Sequence, residues 1–325
     1  MRILVSGSVA YDRIMNFPGN FEDFIIPDEI HKLNVSFSVK KYTETFGGAA
    51  GNIAYNLSLL EEKSFLYAAV GSDFLKYENY LKKLKVNLSG IKKYKKILSA
   101  SANIITDQKN NQITGFFAGA MNFSAKIPRI TKDDLAIIAP GNPNEMLDLV
   151  ELYNNKKVPF IFDPGQQIIQ FTKNQLRQAI KQCSIYIVND YELSLTQKIT
   201  AFTKDILLKN SGVLITTLGA KGSVVEIIQK NKSERIGIRA VKPRLVSIKD
   251  PTGAGDAYRS GIIKGIIISN LELLPKNYLQ FPWLKIGQLA SLAAVYAVEN
   301  YGTQAHKYTY DQFKNRYFKE FKLKI

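Results

Sequence analysis

The chain is expected to fold as one α/β domain, a doubly wound and mostly parallel sheet with helices on both faces, carrying a small β-sheet appendage. Three observations support this. Short apolar runs recur at residues 3–5, 65–70, 135–139, 158–162, 185–188 and 213–217. They are of strand length and read as near-continuous apolar stretches, the mark of parallel strands covered on both faces. Several are separated by helix-like segments, the rhythm of βαβ units. Finally, no internal repeat, low-complexity segment or long linker divides residues 1–325.

In chain order, the first apolar run is followed by residues 13–46, which contain alternating and aromatic positions (Leu33, Val35, Phe37, Val39) and no helical pattern. Residues 47–62 then place Ile53, Ala54, Leu57 and Leu60 on one helical stripe. Residues 98–118 again read as β, with Ala102-Asn-Ile-Ile-Thr and Gln112-Ile-Thr-Gly-Phe-Phe flanking the turn-rich Asp107-Gln-Lys-Asn-Asn. Strands within about 13–46 and 98–118 are expected to pair into a sheet that projects from the main body. Placed over a reaction site, it would act as a lid that excludes water. Late in the chain, residues 284–299 are rich in alanine and leucine and predict a well-buried helix.

Bulk properties narrow the function classes. Hydrophobic residues make up 46% and charged residues 22%, enough for a sizeable core. The single cysteine, Cys183, excludes an intrachain disulfide framework, fits a reducing compartment, and reads as a small buried hydrophobe beside residues 185–188. Met1-Arg-Ile-Leu-Val enters a strand directly, without an apolar leader, and Lys264 interrupts the longest apolar candidate at 262–268. A cytoplasmic protein without a membrane partner is expected. The net charge of +16 gathers partly in Lys82, Lys83, Lys85, Lys92, Lys93, Lys95 and Lys96. With Tyr94 alone interleaved for stacking, this reads as a solvated face, and nucleic acid is not the expected partner.

The most informative stretch is residues 250–261, Asp-Pro-Thr-Gly-Ala-Gly-Asp-Ala-Tyr-Arg-Ser-Gly. Small residues at Gly253, Ala254 and Gly255 precede a carboxylate, Asp256, and an apolar helical run. Glycines let amides turn inward, and at a helix start those amides have no intrahelical partner and carry partial positive charge. An anion hole beside a base is what phosphoryl transfer to a hydroxyl requires. Asp256 supplies the base and the amides of residues 254–256 the potential.

This string resembles the C-terminal signature of the PfkB/ribokinase family of carbohydrate and nucleoside kinases. Phe46-Gly-Gly-Ala-Ala-Gly-Asn-Ile-Ala-Tyr-Asn-Leu resembles its N-terminal signature, with Gly47 and Gly48 allowing close approach and Asn52 able to donate to and accept from vicinal hydroxyls. Gly7-Ser-Val-Ala-Tyr-Asp12 matches the family turn that places a carboxylate on sugar hydroxyls, although Ala10 departs from the polar residue of sugar-specific ribokinases. The resemblance assigns Asn189 and Glu192 to the nucleotide phosphates and to water-mediated Mg²⁺, and Thr217, Gly219 and Gly222 to a nucleotide loop. It adds Gly302 near the adenine pocket, and a monovalent-cation (K⁺) site at Asp250 and the Thr252 carbonyl. ATP and Mg²⁺ are thus the implied co-substrate and ion.

For the acceptor, Pro251 and Tyr258-Arg259, with Gly115-Phe-Phe-Ala-Gly-Ala-Met, are most similar to the bacterial adenosine and nucleoside kinase subgroup. Phe37, Phe116 and Phe117 offer the aromatic surface a nucleobase needs, and Gln112 could read a base edge. The resemblance therefore implies 5′-phosphorylation of a ribonucleoside, with pairing of two copies through the lid compatible with it. Two readings stay open beside it: a sugar or sugar-phosphate kinase, for which Arg13 beside Asp12 would supply a basic group, and a non-catalytic nucleoside or nucleic-acid binder.

Overall fold

A computed structural model describes residues 1–325 apart from Leu33, Asn110, Pro128, Asn231, 245–250, Pro275 and Lys276. The first third of the chain contains β1 (Ile3–Ser6), β2 (Ala10–Asn16), β3 (Lys41–Gly47), α1 (Ala49–Leu59), β4 (Ser64–Tyr67), β5 (Ala69–Val70) and α2 (Leu75–Lys83). There follow β6 (Lys92–Lys93), β7 (Ala100–Thr106), β8 (Gln112–Phe117), β9 (Leu135–Ile138), α3 (Pro143–Asn155), β10 (Phe160–Phe162), α4 (Lys173–Gln182) and β11 (Ile185–Asn189). The remainder holds α5 (Asp190–Thr200), α6 (Lys204–Ser211), β12 (Val213–Thr217), β13 (Ser223–Gln229), β14 (Lys232–Ile238), α7 (Ala254–Ser269), α8 (Trp283–Val298) and α9 (Tyr310–Phe321).

All six apolar runs are strands of one eight-stranded sheet, ordered β14-β13-β12-β11-β10-β9-β1-β4. From β4 to β12 every pair is parallel, and the hairpin β13–β14 closes one edge antiparallel. Strand alternation divides the interior into two layers. On β1, Ile3 and Val5 join a core with Ile53 of α1 and Ile262 of α7, whereas Leu4 joins one with Leu149 of α3 and Leu176 of α4. The sheet is therefore doubly wound, as the succession of apolar runs and helix-like segments implied.

Local chemistry sets the helix starts. Asn142 accepts the amides of Asn144 and Glu145 ahead of Pro143, and Thr172 with Gln175 forms a reciprocal capping box on α4. Helices α7 and α8 pack closely because Gly261 and Gly265 leave no room for a Cβ against Ala290 and Ile286. Lys264 of α7 is buried as well, its ammonium binding Glu62 at 2.6 Å and lying over the Tyr310 ring. No helix among the described residues is long and apolar enough to cross a membrane.

The second sheet is four-stranded, ordered β3-β2-β7-β8, with β2 and β7 parallel. Its β7–β8 hairpin turns where expected: Asp107 accepts the amides of Lys109 and Asn111 at 2.8 Å each. One expectation is corrected. Residues 34–39 form no strand, and the strand of that segment is β3 instead. The aromatic spacing there serves a local cluster, in which Phe37 packs against Phe17, Phe21 and Phe24 with ring centroids 4.9, 5.1 and 6.1 Å apart. Phe37 is thus part of that cluster's own packing.

Candidate active site

In a doubly wound sheet the ligand crevice lies beyond the carboxyl ends of the strands. Here a cavity of about 1110 Å³ occupies that place. Asp163, Asn189 and Thr217 line it, following or ending β10, β11 and β12. Helix α7 points its N-terminus into the same cavity. Gly253, at φ +81°, turns the chain into the helix and packs within 3.2 Å (measured from an added Cβ) of Thr303. The amide of Ala254 is engaged by the Pro251 carbonyl at 3.2 Å, which removes it from the expected anion hole. The amides of Gly255 and Asp256, in the first turn, are the ones left to face an anion.

Asp256 forms part of the cavity wall. Burial pushes its carboxyl up to about 7, opposed by the Arg259 charge and by a hydrogen bond from Asn52, and reinforced by Asp163 and Asp12. A carboxylate with this affinity for protons can take one from a hydroxyl near neutral pH. The Asn52 amide donates to Asp256 Oδ2 at 2.8 Å, and its carbonyl oxygen accepts from Gln304 Nε2 at 2.9 Å. Gln304 Nε2 also donates to the Tyr77 hydroxyl at 2.6 Å, which in turn donates to the Gly47 carbonyl at 3.0 Å. Asn52, expected to reach acceptor hydroxyls, is 3% exposed and is tied to Asp256.

The other acceptor residues are distributed unevenly. Asp12 lies on β2 opposite Thr45, so close to Gly47 that any side chain there would strike its carboxylate. Gly48 has φ +84°, and a Cβ there would come within 2.6 Å of the Ser8 carbonyl. These residues sit behind the wall on the side where Ser8, Ala49 and Phe116 line the cavity. Phe116 is 55% exposed and available to a flat ligand. Gln112 is not brought there. It pairs with Thr106 at the far end of β8, about 13 Å along the strand from Phe116.

On the opposite side Asn189 and Glu192 cap α5 reciprocally, at 2.7 and 2.8 Å. Both line the cavity, and burial followed by the Asp163 charge raises the Glu192 carboxyl. Thr217, Gly219 and Gly222 line it too, the glycines at φ +57° and +93°. Gly302 has φ +94° and is buried outside the cavity lining. Thr252 lies in the exposed turn before α7, and Asp250 lies outside the described residues. Arg13 alternates to the other face of β2 from Asp12, where it binds Glu44 at 3.1 Å and approaches Asp73 at 3.8 Å.

Sequence reasoning missed Asp163, Tyr77 and Gln304. For Asp163 a signal existed: Asp163-Pro-Gly directly follows an apolar strand, at the crevice edge of the sheet. No comparable signal marks Tyr77 or Gln304.

The pfkB family carbohydrate kinase model matches residues 8–309, a span that takes in Asp12, Asn52, the loop 217–222 and Asp256. The chain belongs to the pfkB family. A nucleoside kinase of Methanocaldococcus jannaschii is 32% identical to this pfkB-family chain over 319 residues, covering 97% of the chain and 96% of the relative. The solved structure of Burkholderia thailandensis nucleoside kinase in complex with inosine matches it with a TM-score of 0.83 at 32% identity, covering 99% of this chain and 100% of that one. The same enzyme in complex with ADP-inosine matches with a TM-score of 0.79 at 33% identity, covering 99% and 97%. A pfkB-family kinase with this fold uses ATP as its phosphoryl donor.

Proposed function

We propose that the protein transfers the γ-phosphoryl group of ATP to the 5′-hydroxyl of a ribonucleoside. One observation carries the reading: Asp256, tuned to neutral pH beside open helix amides, lies in a single cavity lined by the nucleotide loop on one side and by Phe116 on the other. The hydroxyl oxygen bonds to the γ-phosphorus as the bond to the β–γ bridging oxygen breaks. The hydroxyl proton passes to Asp256 and ADP leaves. The amides of Gly255 and Asp256 meet the charge that builds on the transferring oxygens. Asp12, Gly47 and Gly48 form the ribose end, and Asn52 holds the base in line. The inosine-bound relatives support the nucleoside class of acceptor.

Among the described residues no group of three or more His, Cys, Asp or Glu side chains is arranged to hold a metal ion. The oxygen donors Asn189 and Glu192 on the cavity wall suit a hydrated, nucleotide-borne Mg²⁺, which when bound neutralises phosphate charge. K⁺ at Asp250 and Thr252 belongs to the same reading, on resemblance. So do a cytoplasmic location, the chain acting as one domain with the smaller sheet as its lid, and pairing of two copies through the open β8 edge. A sugar-phosphate acceptor fits less well, because the Arg13 charge is held by Glu44 on the other face of β2.

ADP release should be measured with adenosine, inosine, cytidine, ribose, fructose and fructose phosphate. Turnover with at least one nucleoside and none with the sugars is expected. Activity confined to the sugars would overturn the acceptor assignment.

A further inference from the structure

Among the described residues, four carboxylates (Asp163, Asp190, Glu192, Asp256) line the cavity, against two cations, Lys242 and Arg259. Such a wall repels a triphosphate unless positive charge is placed near where the phosphates must lie. Lys242 precedes Pro243 on the segment after β14, whereas Arg259 is on α7 itself, three residues beyond the base. Arg259 is 7% exposed and forks onto Asp163, which is 1% exposed. Nε binds Asp163 Oδ2, and Nη2 binds Oδ1 at 2.7 Å. The remaining amino nitrogen, Nη1, lies under the anion-hole turn, 2.8 Å from where a Cβ on Gly255 would sit.

We infer that Arg259, clamped by Asp163, is a positioning residue for phosphoryl transfer: it supports the Gly255–Asp256 turn and places a fixed positive charge behind the amides that receive the phosphoryl oxygens. A buried ion pair is a poor source of stability, since replacing both partners with well-packed neutral groups is often neutral or stabilising. Breaking one partner, in contrast, leaves an unpaired buried charge. The site's chemistry gives this pair a second reason to exist. Fixed charge near a developing anion stabilises the transition state without reorganisation. Arginine also suits the task better than lysine, because its planar fork holds Asp163 while a third nitrogen remains directed elsewhere.

The inference rests on the kinase reading above. Its test compares Arg259→Met, Arg259→Lys and the paired Arg259→Met/Asp163→Asn variant in the full-length protein, each checked by thermal melting and assayed with ATP and the best nucleoside. The paired variant leaves neither partner of the Arg259–Asp163 pair as an unmatched charge, so it is expected to melt near the unaltered protein. Its kcat should nevertheless fall by at least about tenfold, with the nucleoside KM changed less than about threefold. Arg259→Lys should recover part of the kcat lost in Arg259→Met, because it restores the charge. A paired variant with near-normal kcat would reduce the pair to a structural role and overturn the inference. An unaltered protein that turns over no nucleoside would instead overturn the functional reading, so the two failures are distinguishable.

Discussion

The side-chain amide of Asn52 donates to the carboxylate of Asp256 at 2.8 Å, joining residues 204 positions apart in the chain. The bond links the N-terminal turn of α1 to the N-terminal turn of α7, so the two glycine-bearing signatures meet in space. Gln304 holds the Asn52 amide from behind, and the chain is anchored at the Gly47 carbonyl, which can only accept from Tyr77; this orders the donors so that the Asn52 nitrogen faces the carboxylate.

Asn52→Leu therefore acts on the base. Without the donated hydrogen bond the Asp256 carboxyl holds its proton more tightly. The expected result is a kcat lowered by about tenfold at pH 7 with partial recovery at pH 9, read from kcat–pH profiles. A raised nucleoside KM with normal kcat would return Asn52 to acceptor binding.

Replacement of the base is more severe. Asp256→Asn should lower kcat by at least about 10²-fold, with nucleoside affinity nearly unchanged. The same change should stabilise the fold. Because the folded carboxyl titrates at about 7 and the unfolded one near 3.8, folding stability is lost as pH rises between those values. The variant's melting temperature should exceed that of the unaltered protein at pH 8, by a margin that shrinks on acidification below 7.

His306 makes an opposite prediction about acid. It is fully buried, its Nε2 lies 2.8 Å from Asn56 Oδ1, and burial lowers its pKa to about 4. Its contribution to stability is complete above the unfolded value of 6.5 and declines as pH falls toward 4. The loss is about 3 kcal/mol, from the size of the shift. Chemical denaturation from pH 7.5 to 4.5 should show the decline, and His306→Gln should flatten it.

Gly48→Ala tests the backbone of the acceptor side. The added methyl meets the Ser8 carbonyl and the Ala10 amide at 2.6 Å each, at a φ of +84°. Neither backbone group can rotate away. Stability should drop by at least about 1 kcal/mol in denaturant titration, and the nucleoside KM should rise.

Much of this was legible before any coordinates. Six apolar runs became the six parallel strands because strands buried on both faces must be apolar throughout, a property visible in a one-dimensional string. The glycines at 48 and 253 and the Asn189–Glu192 pair were likewise local signals, since left-handed turns and capping boxes are built within a few residues. Misreadings came where local pattern and remote contact disagree. The alternation at residues 33–39 suggested a strand, yet Phe37 serves a cluster with Phe17, Phe21 and Phe24.

By itself, then, the sequence determined the doubly wound plan and the glycine-led helix start that carries Asp256. Those depend on periodicity and on backbone geometry over short spans. Tertiary structure alone decided that Asn52 meets Asp256, that Arg13 leaves the opposite face of β2 from Asp12, and that Arg259 reaches back under Gly255 while gripping Asp163. Each of these depends on which strand or helix face a side chain leaves and on a partner brought near by packing, distances that a linear chain does not encode residue by residue.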